Sequence, residues 1–119
     1  MGKLLLIIAA IAMASLVLSG CTSKRELKTA ICFAKTQPSE NKCLQQLAID
    51  YKDAEPCKKI KTYYSLNKTI SPPTKITCYS EVAYWKGEEN ICNQLSIETD
   101  KDECKYRYNL YMDAARVEN

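Results

Sequence analysis

The chain has 119 residues, with 17 Lys and Arg against 14 Asp and Glu, no histidine, and a formal charge of +3. The near-neutral balance argues against nucleic acid as a partner. The missing histidine removes the usual acid–base residue, so neither an enzymatic role nor a cofactor is expected.

Residues 4–18, LLLIIAAIAMASLVL, are uncharged and follow Lys3. Ser19 and Gly20 after them are small, which completes the three-part layout of an export signal. The apolar stretch Leu4–Gly20 has 17 residues, at the lower edge of a bilayer span, so an uncut membrane helix is the competing reading. Flanking charge does not separate the two: Lys3 stands on one side, and Lys24, Arg25 and Lys28, offset by Glu26, on the other. N-myristoylation does not compete, because Leu6 stands where that pattern wants Ser or Thr.

Leu18-Ser19-Gly20-Cys21 resembles the lipobox of prokaryotic lipoproteins. The resemblance implies a diacylglyceryl group on the Cys21 thiol and a cut just before it. Two acyl chains hold a protein stably at a membrane, where one is marginal. Residues 1–20 are then a removed signal, 21–26 a short lipidated tether, and 27–119 a cysteine-rich domain outside the cytoplasm. Thr22 is not the Asp that favours inner-membrane retention, so a Gram-negative source implies the outer membrane. Archaea also use the motif.

Without residues 1–20, 99 residues remain, enough for one small domain with a thin core. Six cysteines remain beside Cys21: Cys32, Cys43, Cys57, Cys78, Cys92 and Cys104. An even count in an exported chain reads as three disulfides. Structural zinc would want close pairs or histidines, whereas the nearest cysteines here are 11 residues apart. No C-x-x-C redox pair occurs and no metal site is expected.

The domain reads as all-α. Gly87 is its one glycine, so turns that need positive φ have little supply, and apolar spacing is helical. Cys43, Leu47 and Tyr51 share one helical face, with Ser39 after Pro38 as the expected cap. Cys104, Tyr108, Tyr111 and Ala115 share another, with Asp100 and Glu103 expected as a capping box ahead of it. Pro72-Pro73 marks the approach to a helix between these two.

An internal repeat underlies the pattern. CLQQLAIDYKDAEPCKKI from Cys43 aligns with CYSEVAYWKGEENICNQL from Cys78 at an offset of 35, and a partial copy, CKYRYNLYMDAA, starts at Cys104. A period of this size suits stacked helical hairpins. The unit resembles small cysteine-rich helical repeats of exported archaeal proteins, a likeness that implies no activity. Six cysteines allow fifteen pairings. A helix over 43–52 would hold Cys57 more than about 10 Å from Cys43, too far for a bridge. Cysteines that bracket a hairpin loop meet, so Cys32–Cys43, Cys57–Cys78 and Cys92–Cys104 are expected.

The acids are expected on solvated helix ends. No nucleophilic serine–lysine pair is expected, and calcium at Glu98, Asp100, Asp102 and Glu103 is disfavoured because the loop glycine of such sites is missing. Eight tyrosines and Trp85 are more than so small a core can bury. Tyr63, Tyr64, Trp85 and Tyr106 are the expected partner surface, since such side chains give large contact area at low entropy cost. Asn67-Lys68-Thr69 is a glycosylation sequon in the longest loop, read as a chance match. The function expected is a lipid-anchored interaction or envelope-structure module facing a surface protein; the alternative is a small-molecule or ion-binding accessory to a membrane complex.

Overall fold

The structure, a computed structural model, describes residues 23–70 and 72–118. Cys21 and the apolar stretch before it lie outside the described residues. Among the described residues four α-helices occur: α1 (Lys24–Phe33), α2 (Ser39–Tyr51), α3 (Lys75–Lys86) and α4 (Glu98–Val117). Two 3-10 segments, Pro56–Lys59 and Glu89–Gln94, follow α2 and α3.

α1 starts inside the stretch expected to be a polar tether. The Ser23 hydroxyl accepts from the Glu26 N–H at 3.2 Å, and the Glu26 carboxylate accepts from the Ser23 N–H at 3.1 Å. This reciprocal capping box satisfies two otherwise orphaned donors and begins the helix at Lys24. Thr74 and Thr77 form the equivalent box at α3, just after Pro72-Pro73.

The other two starts differ from expectation. Ser39 is the first residue of α2 rather than its cap; Pro38 holds the cap position, and no side chain caps the helix. The Thr36 and Pro38 carbonyls accept from Glu40 and Lys42 instead. α4 begins at Glu98, which places Asp100 within its first turn, and Ile97 precedes it with no side-chain cap. The buried residues of α2 are Glu40, Asn41, Leu44, Leu47 and Ala48. Tyr51 is exposed and lies under the Lys28 ammonium, 5.5 Å from the ring centre.

The 35-residue repeat is a structural unit. α2 and α3 both end on a left-handed residue, Lys52 at φ 49° and Gly87 at φ 73°. The next N–H turns back to a helix carbonyl in each: Asp53 to Ala48, and Glu88 to Ala83, both at 3.0 Å. This is the Schellman closure. A 3-10 segment then carries Cys57 or Cys92 into the core, and Ile60 or Leu95 leaves it in extended conformation while still buried. The third copy departs here: at the position matching Lys52 and Gly87, Asp113 continues α4.

The cysteines pair as 32–43, 57–78 and 92–104, with Cα atoms 5.4, 5.6 and 5.6 Å apart, normal spacing for a disulfide. Cys57, Cys78, Cys92 and Cys104 are fully buried among Leu44, Ala48, Val82 and Ala83. The core therefore forms along the seams between repeat copies, where apolar side chains and bridges meet. α4 packs on α3, α3 on α2, and α1 on α2.

Candidate functional site

The loop 61–74 is anchored by Asn41, which is buried in α2. Its amide donates to the Lys61 carbonyl at 2.7 Å and accepts from the Lys61 N–H at 3.2 Å. Beyond that point Tyr64 and Ile70 form an isolated antiparallel bridge. The tip is a tight turn in which the Ser65 and Thr69 hydroxyls lie 2.7 Å apart. Asn67 is exposed on that turn, beside Lys68 at φ 58°.

The four aromatic residues expected as one surface occupy separate places. Tyr63 is half-buried and Tyr64 exposed on the loop, near the start of α3. Trp85 is 54% exposed at the other end of α3, about 16 Å along the helix axis from Thr74. It meets Tyr84 edge-on at 5.2 Å, and Tyr84 meets Tyr111 of α4 at 5.7 Å. Tyr106, 60% exposed, shares an outer face of α4 with Leu110 and Val117 at helical spacing. Leu110 and Val117 carry no aromatic signal, and the 106–110–117 spacing was the cue that could have found them. Tyr79 went inward: it is 2% exposed, and burial pushes its phenol up from the ordinary value.

Among the described residues, concavities lie elsewhere. A groove of about 480 Å³ runs between α1 and α2, lined by the exposed Ile31, the buried Leu47 and the 32–43 bridge, with Lys28, Lys35 and Lys42 beside them. A smaller hollow of about 390 Å³ lies between α1 and the first 3-10 segment, where the Lys59 ammonium sits over Phe33. The largest, about 770 Å³, opens at the starts of α3 and α4. Ile60, Ile76 and Leu95 are among its apolar walls; Lys58, Lys59, Lys61, Lys75 and Asp100 also line it, with Lys58 paired to Glu55 at 2.7 Å.

Several charged groups are paired. Arg25 and Asp53 tie α1 to the end of α2. Lys61 reaches the buried Glu40 carboxylate at 3.5 Å. Glu98 bonds Lys101 at 2.9 Å, which draws its carboxyl below the ordinary range, and Glu103 bonds Arg107 at 2.8 Å. Among the described residues no three His, Cys, Asp or Glu gather within reach of one ion. Ser-x-x-Lys spacing occurs twice, at Ser39/Lys42 and Ser65/Lys68. The Ser65 hydroxyl is engaged with Thr69, and Ser39 and Lys42 are exposed side chains at the start of α2.

No family model, no curated protein and no solved structure matches the chain. No helix among the described residues is long and apolar enough to cross a membrane.

Proposed function

We propose that the chain is a lipoprotein held at a membrane by diacylglycerol on Cys21, with its helical domain outside the cytoplasm. The domain acts without catalysis, as an interaction or envelope-structure module for a protein partner. The supporting observation is a set of large apolar side chains held outward by a scaffold whose six domain cysteines are all paired. Disulfides persist in oxidising compartments, which suits an exported chain. Trp85 at the end of α3 and the Tyr106–Leu110–Val117 face of α4 offer contact area on fixed helices. In a Gram-negative cell, Thr22 after the lipidated residue assigns the outer membrane.

The unreduced intact mass tests the anchor: residues 21–119 plus the lipid, less six hydrogens, is expected, and the mass of all 119 residues would overturn it. For the partner surface, a photo-crosslinker at position 85 or 106 should capture one defined protein from the native membrane. Trp85→Ala with Tyr106→Ala should abolish that complex while leaving the fold intact; an unchanged complex would remove these residues from the interface.

A second reading is favoured by the cavity at the starts of α3 and α4. Its four lysines and apolar walls suit a small anionic amphiphile. Saturable binding of a short-chain alkyl phosphate, lost in Lys75→Glu, would favour this reading over the module.

A further inference from the structure

α1 is joined to the domain in an unusual way. Of its ten residues only Cys32 is buried. Leu27 and Ile31 are 57% and 54% exposed, one turn apart on its outer face. Lys24 and Lys28 share that face by helical spacing, and Lys28 and Ile31 continue it into the α1–α2 groove. Lys35 and Lys42 stand on the rim of that groove, where Asp50 is the opposing acid and is itself held by Gln46 at 2.8 Å. An apolar strip edged by lysines that no other part of the described chain covers is the composition of an interfacial helix.

We propose that this face, with Leu27 and Ile31 set among Lys24, Lys28, Lys35 and Lys42, lies on an anionic lipid surface. The inference rests on the lipid anchor at Cys21 and adds a second, non-covalent contact. Two features favour lipid over a protein occupant. The first is charge: the lysines complement acidic headgroups, and their long stems let the ammonium reach the headgroup level while Leu27 and Ile31 enter the acyl boundary. The second is reach. Cys21 precedes the capping residue Ser23 by two positions, at most about 7 Å of extended chain. An anchor that short holds the N-terminal end of α1 at the bilayer and brings Lys24 and Leu27 beside the headgroups. The domain then lies on its α1–α2 side, with α3 and α4 turned away from the lipid.

The test uses the full protein purified from its own membranes and placed in phosphatidylcholine vesicles, with or without phosphatidylglycerol. Amine-reactive labelling, read lysine by lysine by peptide mass, reports which side is covered. Labelling of Lys24, Lys28, Lys35 and Lys42 should fall severalfold in the anionic vesicles and recover in high salt. Lys86 on α3 and Lys101 on α4 should label equally in both. The double variant Leu27→Glu, Ile31→Glu changes exposed residues; it should still float with the vesicles yet lose the protection. Equal labelling of the four lysines in both vesicle types would overturn the proposal. So would protection that persists in neutral lipid and in high salt, which would mean a second copy or a protein on that face. The anchor is read separately: a chain that leaves the vesicles in high salt refutes the lipid on Cys21, while salt-sensitive protection at low salt still supports the face.

Discussion

Position 52 and position 87 do the same work with different residues. Both close a helix in the left-handed region, where a side chain costs about 1–2 kcal/mol. Gly87 meets that demand without strain, and an added Cβ there would meet no atom within 4 Å. Gly87→Ala should therefore lose about 1 kcal/mol through backbone conformation and not through a clash. Lys52→Gly should gain a similar amount, and denaturant unfolding of the two variants would show opposite signs. Glu81 is a second residue where the present side chain is not optimal. Burial on the α2-facing side of α3 raises its carboxyl above the ordinary 4.5, partly countered by a hydrogen bond from Gln45. A carboxyl with a raised folded-state pKa binds its proton more tightly in the native state, so stability is lost as pH rises from about 4.5 through the folded value. Glu81→Gln should melt higher than the parent at neutral pH, and the difference should vanish on acidification below the ordinary value.

At the scale of elements, the three bridges do different jobs although their loops imply similar stabilisation. Loops of 11, 21 and 12 residues each predict about 3 kcal/mol of stabilisation by limits on the unfolded chain. Cys57–Cys78 joins one repeat copy to the next through the core, so Cys57→Ala with Cys78→Ala should lower global stability by about that amount or more. Cys32–Cys43 holds a helix that buries little else. Cys32→Ala with Cys43→Ala should raise amide exchange in α1 and leave α3 protected; loss of protection in α3 would mean that α1 belongs to the core. The pairing was legible because helical spacing and loop position leave few partners within reach. The repeat was legible because cysteines and alanines recur at a fixed offset. Helix starts were less so. α4 takes its start from the buried, extended Leu95 and the Ile97 that follows, a tertiary constraint with no capping residue to announce it. The buried face of α2 includes Glu40 and Asn41, polar residues whose burial is legible only once Gln37 is seen to donate to one Glu40 oxygen and the Lys61 backbone to bond Asn41. The aromatic residues gave composition but not position: helical spacing alone does not tell which tyrosine turns inward, as Tyr79 does.

At the scale of the whole molecule, each bridge closes its own stretch of chain, and none encloses or crosses another. The segments between bridges, from Cys43 to Cys57 and from Cys78 to Cys92, are largely the helices α2 and α3. Three connections fall inside the closed stretches: the turn before Pro38, the Tyr64–Ile70 loop, and the link that leads from Leu95 to the exposed Ile97. A protease that nicks any of these leaves two pieces still tied by sulfur, so the molecule survives the cut in one covalent body. Severance demands a cut elsewhere, as at the exposed Lys52 or in the exposed stretch 85–90 around Gly87. Wear at those three loops would therefore show on a reducing gel and release no fragment.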